Sequence, residues 1–385
     1  MRIRLFTPPG PLTYDMLNQR QLTLLKFRRH KLAVAAAFLL AGLYIMALFS
    51  PFFAPYGKYE RNLDYIYCPP QKLGFDRETG LHAKGLRRMV DPVTLNSYYE
   101  DAPENNAPLG FFVRGVPYRL WGIFPTDRHL FGVDTGRIPD FKPGDEKRFV
   151  YYMAGADKFG CDIWSRIVQG STISLSVGLV GVFLSFVLGV VIGGISGYCG
   201  GVTDTAIQRV IEIINSFPQL PMWLALAAAV PADWSPLETY FAITVTLSLL
   251  SWTGLARVVR GKILSLREED YAVAARLLGA GHGRILFRHL LPAFASHIIV
   301  TLTLTVPGMI LGETSLSFLG LGLRPPVVSW GVMLQECMNV KAVIDYPWLL
   351  SPVLMLVFAV LCFNFVGDGL RDAADPVSYT HLTLP

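Results

Sequence analysis

The sequence is poor in charge. Only 16% of its 385 residues are charged and 52% are hydrophobic, whereas ordinary soluble domains carry about 25% charged residues. Because a spanning helix needs about 20 mainly apolar residues, charge-free stretches of that length are candidate membrane spans. Six such stretches occur, at residues 32–57, 167–203, 213–232, 239–256, 289–312 and 346–367. They exclude an ordinary soluble protein and predict an all-α integral membrane protein with six transmembrane helices.

The sequence also lacks a nucleotide-binding loop. That loop requires Gly, four residues, and then Gly-Lys followed by Ser or Thr. Here Gly261 and Lys262 are followed by Ile263, and Ala256 occupies the first glycine position. The Asp, His and Ser residues are scattered over loops that the predicted topology places on opposite membrane faces. We therefore expect no catalytic residue and no cofactor, and any ATP would be hydrolysed by another chain.

The five cysteines do not have the paired spacing of a metal site, so no metal site is expected. Cys68, Cys161 and Cys337 fall on the side predicted to be external. A disulfide between two of them and free thiols are both open alternatives, because connectivity cannot be read from sequence. The net charge of +5 does not indicate nucleic-acid binding, since no basic patch is interleaved with aromatic residues on a soluble face.

The positions of the basic residues predict the orientation, because short loops rich in Lys and Arg stay in the cytoplasm. Asp15 is the only acidic residue before the first span. The basic residues there are Arg2, Arg4, Arg20, Lys26, Arg28, Arg29 and Lys31. Those between the fourth and fifth spans are Arg257, Arg260, Lys262, Arg267, Arg276, Arg284 and Arg288. Both termini and the loop between spans four and five are therefore predicted to be cytoplasmic.

The predicted organisation has four parts. A cytoplasmic lead at 1–31 precedes a first helix at 32–55, whose apolar stretch is too long for a cleaved signal. An external (periplasmic) segment follows at 56–168, where turn residues and short strand patterns favour a small folded domain. The transmembrane domain occupies 169–372. Its helices are expected at about 172–197, 207–230, 239–257, 293–314 and 346–367, with a charged loop at 258–292.

Glycine recurs every fourth residue in the second span. The residues are Gly189, Gly193, Gly197 and Gly201. Small residues on one helix face let another helix approach closely, although glycine is also simply common in membrane helices. We expect Gly189, Gly193 and Gly197 to form a helix-packing face, and the helix to end near Gly200 and Gly201.

Proline and polar residues interrupt the third and fifth spans. Pro218 and Pro221 predict a kink or a broken helix. Asn215 in the third span, and Pro307 and Glu313 in the fifth, are candidate pathway or gating residues, because polar groups at membrane depth face the bundle interior or a wet path. For Glu313 the alternative is a position at the membrane interface, from which its carboxyl group reaches water.

The charged loop has the local signals of a short helix lying on the membrane surface. Ser265 followed by Glu268 is a capping-box pattern, and Gly279 is typical of a C-terminal cap. These signals predict a helix at residues 266–278. Its apolar face would include Tyr271, Ala272, Ala275 and Leu278. Periodicity alone would favour a purely structural role for this helix.

The same loop resembles the cytoplasmic coupling loop of ABC importer permeases. In that family the loop reads Glu-Ala-Ala, three residues, Gly, nine residues and Ile-x-Leu-Pro. The matching residues in this sequence are Ala274, Ala275, Gly279, Leu291 and Pro292. Val273 and His289 replace the glutamate and the isoleucine, which removes two contacts but leaves the helix–turn–helix pattern.

Further motifs are similar to the dipeptide and oligopeptide permeases, specifically to the DppC- and OppC-like branch. The similar segments are 129–134 and 157–170, a pre-span motif split by an insertion, and 312–322 and 366–376, two closing motifs. Cys161 stands where arginine is usual. The resemblance covers about 170–376 well, and 58–128 hardly at all.

The resemblance implies a type I ABC importer permease fold and half of a translocation pathway for di- or oligopeptides. Oligosaccharides are the alternative substrates. The implied partners are a homologous second permease subunit, two ABC ATPase subunits, an external substrate-binding protein and the lipid of the cell (inner) membrane. The implied ATPase-coupling residues are Glu268, Glu269, Asp270, Tyr271, Ala274, Ala275, Gly279, Arg288, Leu291 and Pro292.

Two functions of other classes are weaker alternatives. An intramembrane enzyme would need paired nucleophile and base, or metal ligands, at one depth within the spans, but His297 is alone in its span. An ion-coupled secondary transporter would carry charges at the bilayer midplane and an inverted repeat, and the sequence displays neither.

The last nine residues, 377–385, read Val-Ser-Tyr-Thr-His-Leu-Thr-Leu-Pro. They fit neither a helix nor the usual ending of the family that the chain resembles. We interpret them as a non-native tail, because they are similar to translated read-through of a sequencing adapter.

Overall fold

A computed structural model describes residues 19–76, 80–90, 92, 97–139, 141–142, 144–231 and 233–374. The tail at 377–385, which we interpret as non-native, and residues 1–18 of the N-terminal lead lie outside the described residues. Helices form the part of the chain with long apolar runs, and strands form the segment after the first span.

The helices are α1 (Gln19–Arg29), α2 (Lys31–Leu48), α3 (Ser50–Phe53), α4 (Ile163–Cys199), α5 (Gly201–Ser216), α6 (Gln219–Ala228), α7 (Pro236–Leu266), α8 (Asp270–Leu277), α9 (His282–Arg284), α10 (Leu291–Ala293), α11 (Ala295–Phe318), α12 (Trp330–Leu334), α13 (Val340–Asp345) and α14 (Ser351–Ala374). A π-helix, Ile285–Leu290, joins α9 to α10. The strands are β1 (Leu73–Asp76), β2 (Gly80–Ala83), β3 (Leu86–Val90), β4 (Ser97–Asp101), β5 (Ala107–Leu120) and β6 (Phe124–Val133).

In the described part of the chain, five helical stretches are long and apolar enough to cross a membrane: α2, α4, α7, α11 and Pro347–Ala374, which contains α14. The third predicted span is a pair, α5 and α6, bent by 87°, and counting the pair as one span gives six. Pro218 is the N-cap of α6. Because proline has no backbone N–H to continue a helix, the predicted break in this span is confirmed.

Two helices are longer than the sequence predicted. α4 begins at Ile163 rather than near 172, since the Asp162 carboxylate accepts a hydrogen bond from the Ser165 backbone N–H at 2.8 Å and caps the helix there. α7 continues past 257 to Leu266. Charge-free runs mark only the part of a helix that can lie in lipid, whereas a helix continues beyond the membrane wherever it is capped and packed.

α4 and α7 pack closely through small residues on α4. The glycines at this contact are Gly189, Gly193 and Gly197. A Cβ atom added at Gly197 would lie 2.8 Å from the Arg260 carbonyl oxygen, so a larger side chain there would separate the helices. α4 ends at Cys199, and Gly200 has a positive φ of 67°. Gly201 belongs to α5 and has no atom within 4 Å of an added Cβ, so the helix ends near Gly200 and Gly201 as predicted.

The segment between α3 and α4 is folded, as its aromatic and turn residues predicted. A four-stranded antiparallel sheet has the strand order β1-β2-β5-β6, and β3 pairs separately with β4. β5 and β6 form a long hairpin with Trp121 at the turn. All five cysteines are described and are free, so the disulfide alternative is not realised.

Candidate functional site: the α8 loop and the groove beside it

The charged loop between α7 and α11, residues 267–294, is called here the α8 loop. It is attached to the transmembrane helices through one apolar cluster. Ala272 of α8 is fully buried, and it packs with Ile263 of α7 and with Ile285 and Leu290 of the π-helix. Ala275 is half-buried at the edge of the same cluster. α8 therefore docks through two alanines and leaves most of its surface free.

The start of α8 differs from the prediction. Ser265 lies inside the last turn of α7, so it does not form the predicted capping box with Glu268. α8 begins at Asp270, and Glu269 is its N-cap residue, with an extended backbone and no side-chain cap. The reason is that α7 continues through Ser265, whereas an N-cap residue must leave the helical conformation. A capping box does form elsewhere, between Ser235 and Glu238 at the start of α7.

The end of α8 is a Schellman motif. Gly279 has a φ of +80°, the left-handed conformation expected for it. The Ala280 N–H donates to the Ala275 carbonyl, and the Gly279 N–H donates to the Arg276 carbonyl, each at 3.0 Å. No atom lies within 4 Å of a Cβ added at Gly279. Glycine is therefore required here for its backbone conformation and not by neighbouring atoms.

Polar contacts tie the α8 loop to the end of α4. The Arg267 guanidinium donates to the carbonyl oxygens of Gly197 and Tyr198, at 3.2 and 3.3 Å. This places a cation at the negative end of the α4 dipole. The Tyr198 hydroxyl lies 3.0 Å from His282 Nδ1, and the Arg276 guanidinium lies 6.0 Å from the centre of the Tyr198 ring. Direct contacts therefore join the α8 loop to the end of α4.

The outward surface of α8 is acidic at one end and apolar at the other. Glu268, Glu269 and Asp270 are exposed. At the other end Leu277 is 83% exposed and Leu278 is 88% exposed. Because Ala272 and Ala275 define the buried face, Leu277 points to the opposite side, and Leu278 is already the C-cap. Leu277 was not among the residues of the predicted apolar face, and two residues predicted to lie on that face, Tyr271 and Leu278, are exposed.

The remaining predicted coupling residues come together only in part. Tyr271 and Ala274 are exposed on α8. Partial burial of the Tyr271 hydroxyl, together with the nearby Glu269 charge, raises the pKa of Tyr271. Arg288 is exposed on the π-helix. Leu291 and Pro292 form the short helix α10, separated from α11 by a non-helical residue. These last two residues shape the junction with α11 and do not extend the surface of α8.

A polar groove of about 310 Å³ lies beside the broken span, between it and helices α7 and α11. Its polar lining residues are Asn215, Gln219, Ser251, Thr253, Arg257 and Thr305. The Thr253 hydroxyl donates to Asn215 Oδ1 at 3.1 Å, which joins α7 to α5 at the groove. Polar side chains at membrane depth normally face a water-filled path or a partner. Of the three predicted pathway residues, the structure places Asn215 in this groove.

Glu313 and Pro307 are not in the groove. The Glu313 side chain has no exposed surface. Its Oε1 atom accepts hydrogen bonds from Ser317 at 2.9 Å and from Ser329 at 2.7 Å, and Oε2 lies 3.4 Å from the Ser174 hydroxyl. The carboxyl group therefore joins α11, α4 and the start of α12, and the interface alternative is wrong. Pro307 is buried inside α11.

The end of α4 opposite the α8 loop carries further buried polar groups. Asp162 is 3% exposed, and burial raises the pKa of its carboxyl group to about 7, although hydrogen bonds from the first turn of α4 act in the other direction. Asp157 pairs with Arg166. Glu336 accepts a hydrogen bond from the Tyr67 hydroxyl at 2.9 Å, and burial raises its pKa. In the residues that the structure describes, no three His, Cys, Asp or Glu side chains are placed to hold a metal ion.

Two family comparisons match separate parts of the chain. Residues 189–377 match the family described as "Binding-protein-dependent transport system inner membrane component". Residues 18–70 match the "N-terminal TM domain of oligopeptide transport permease C". The first range contains the α8 loop and the groove, and the second contains α2. Both sheets lie between the two ranges.

Curated proteins similar to this chain have transport names. The "Oligopeptide transport system permease protein OppC" of Haemophilus influenzae is 40% identical over 227 residues, which cover 59% of this chain and 70% of that protein. The "Dipeptide transport system permease protein DppC" of Bacillus subtilis is 37% identical over 224 residues, covering 58% of this chain and 68% of that protein. Among solved structures, an inward-facing MetNI methionine ABC transporter aligns with a TM-score of 0.42 and 17% identity, covering 54% of this chain and 96% of that chain.

Proposed function

The chain belongs to the family of binding-protein-dependent transport inner membrane components, and from that premise we propose that it forms half of a pathway that imports di- or oligopeptides. It is a permease subunit of an ABC importer and a multi-pass membrane protein. The peptide substrate is supported by the names of relatives that are 37–40% identical and covered over about 70% of their length.

The observation that carries the proposal is the asymmetric packing of α8. One face is fixed to α7 and the π-helix through Ala272, and Arg267 and Tyr198 join the same loop to α4. The opposite face, with Leu277 and Leu278, is exposed. A rigid short helix held on one side and exposed on the other is suited to fill a groove in a partner and to pass the partner's movement to the spans.

The proposed partners are two ABC ATPase subunits, a homologous second permease subunit and an external substrate-binding protein. The ATPase subunits would bind the α8 loop on the cytoplasmic side. The second permease would close the groove that contains Asn215 and Thr253, since a groove open on one side of a single subunit becomes a path when a similar subunit faces it. Both chain termini would be cytoplasmic, as the basic residues predict.

The docking proposal is tested with a change confined to the exposed leucines. Leu277→Ser combined with Leu278→Ser should reduce co-purification of the ATPase subunits and transport together, because buried apolar contact at an interface is lost. The matched control is Ile344→Ser, which removes a side chain that is 73% exposed on α13, beyond span α11. Equal loss of ATPase binding in both variants would contradict the docking surface.

The orientation is tested by labelling from the two sides. Single cysteines replacing Glu100 on β4 and Leu278 at the end of α8 should react with an impermeant reagent from opposite faces, since both side chains are exposed. Labelling of both cysteines from one face would refute the proposed topology.

The substrate class is tested on the complete transporter with its binding protein. Vesicles containing the assembled complex should take up labelled di- or oligopeptides in an ATP-dependent manner, and the binding protein should retain peptides on purification. Uptake of oligosaccharides without uptake of peptides would overturn the substrate assignment, while the family membership would stand.

A further inference from the structure

The hairpin of β5 and β6 runs back along the first span. His129, in β6, lies with its Nδ1 atom 2.7 Å from the carbonyl oxygen of Ala54, just after α3. Trp121, at the turn, donates from Nε1 to the carbonyl oxygen of Leu48 at 2.9 Å, and its ring packs against Phe49 with centroids 5.2 Å apart. His129 thus contacts residue 54, while Trp121 at the turn contacts residue 48, so the hairpin extends from the end of α3 towards the end of α2.

The length of α2 indicates that Leu48 lies at a boundary of the membrane. α2 contains 18 residues, which at about 1.5 Å per residue gives a length of roughly 27 Å. The hydrocarbon core of a bilayer is about 30 Å thick. The helix begins at the charged residue Lys31, so Lys31 and Leu48 lie near the two opposite surfaces of the core. The Trp121 hydrogen bond to Leu48 consequently places the turn of the hairpin at the membrane interface.

The turn exposes an apolar surface at this level. Ile123 is 71% exposed, Phe124 57% and Trp121 52%. The surface is continuous with the last turn of α2, where Ile45 is 53% exposed and Leu48 is 55% exposed. An exposed apolar surface of this kind indicates a contact with lipid or protein, and its continuity with the apolar surface of a membrane span favours lipid.

We propose that residues 119–124, called here the hairpin tip, insert into the lipid interface beside the end of α2. Tryptophan is enriched at this depth because its ring is apolar while its N–H requires a polar partner, and here Leu48 supplies that partner. Arg119 is exposed at the edge of the tip, where a long basic side chain reaches lipid phosphates. The tip fixes the height of the four-stranded sheet above the membrane.

The inference does not depend on the substrate or on which face of the membrane the sheet occupies. It is tested on the full chain reconstituted in vesicles of phosphatidylcholine and phosphatidylglycerol. Ile123→Cys, in a background with Cys199→Ser and Cys337→Ser, carries an environment-sensitive fluorophore. A lipid with a nitroxide near its headgroup should quench this fluorophore more strongly than a lipid with a nitroxide at the end of its acyl chain.

The matched control is the same fluorophore at Glu100→Cys, on the separate β3–β4 pair, where lipid quenchers should have no effect. Trp121→Ala should weaken lipid quenching at position 123, because the bond to Leu48 is lost. Quenching at 123 by aqueous iodide but not by lipid would overturn the proposal. Shielding from both quenchers would also overturn it, because the tip would then be covered by protein. Repeating the quenching measurement on the complete transporter with its binding protein would identify the protein that covers the tip.

Discussion

The two ends of α4 are built in opposite ways. At Ile163 the helix starts among buried polar groups that bond to one another, with Asp162 capping it and Glu313 joining three elements nearby in the core. At Cys199 it ends beside the α8 loop, where Leu277 and Leu278 are almost fully exposed. The first end is held mainly by contacts within this chain, although Asp162 Oδ1 and Arg166 Nε have no hydrogen-bond partner among the described residues. At the second end, the α8 loop is bonded to α4, but the outer surface of the loop has no contact within the described part of the chain.

This difference separates the parts that must hold their shape from the part that must meet another subunit. Buried polar groups cost stability unless they are hydrogen-bonded, so the Glu313 carboxyl group, which has partners on both oxygens, fixes the geometry of the three elements that it joins. Because α8 is held only on its inner side, its outer surface is open to a partner subunit. Three substitutions test this difference between the two ends of α4.

Glu313→Ala should produce the largest loss of stability. It removes two short hydrogen bonds and leaves the hydroxyl groups of Ser317 and Ser329 buried without their acceptor. At about 1.5 kcal/mol for each bond to a carboxyl group, the free energy of unfolding should fall by about 3 kcal/mol. Thermal unfolding in detergent measures this. Glu313→Gln is the control, and it should cost less because an acceptor oxygen remains; equal stability of all three proteins would show that the network is not structural.

Gly279→Val should have a moderate, local effect. A branched residue in the left-handed conformation costs about 1–2 kcal/mol, and no neighbouring atom is crowded, so the spans should insert normally. Transport and substrate-stimulated ATP hydrolysis should fall together because the end of α8 is displaced. Gly281→Val is the matched control, since Gly281 has a φ of −68° that valine accepts. If both variants transport equally well, the Schellman turn has no part in coupling.

Asp162→Asn should have the smallest effect at about pH 4, where the carboxyl group is protonated and asparagine resembles it, and its effect should appear as a change in the pH dependence of stability. Burial raises the folded-state pKa of Asp162 to about 7, above the unfolded value of about 4. Its protonated form therefore contributes stability below about pH 4, and this contribution is lost as the pH rises to about 7. Asparagine keeps the helix cap and remains neutral. The melting temperature of the variant should fall less between pH 4 and pH 7, and identical profiles would show that the carboxyl group ionises freely.

The sequence predicted the membrane helices because lipid imposes a simple rule on composition. Charge-free runs located every span, and Pro218 located the break in the third. The helix ends were less predictable, since Ser265 and Glu268 satisfy a capping pattern that the continuing α7 overrides. Local patterns cannot show which of two competing helices includes a residue.

The functional surfaces were predictable in part. The α8 loop was identified from Ala274, Ala275 and Gly279, but Leu277 was missed because the buried face depends on how Ala272 packs against the π-helix. Glu313 was ambiguous for a similar reason. Its partners Ser174 and Ser329 are 139 and 16 residues away, and no local pattern reports such contacts.

We propose that the exposed surface of α8 contacts an ATPase subunit. Site-directed crosslinking on the assembled transporter tests it most directly, with a photoreactive cysteine reagent placed at Leu277→Cys and, as the control, at Ile344→Cys. We predict a crosslink from position 277 to the ATPase subunit that changes in yield when ATP is added, and none from position 344. Absence of an ATPase crosslink from position 277, in a complex that still transports, would contradict the account.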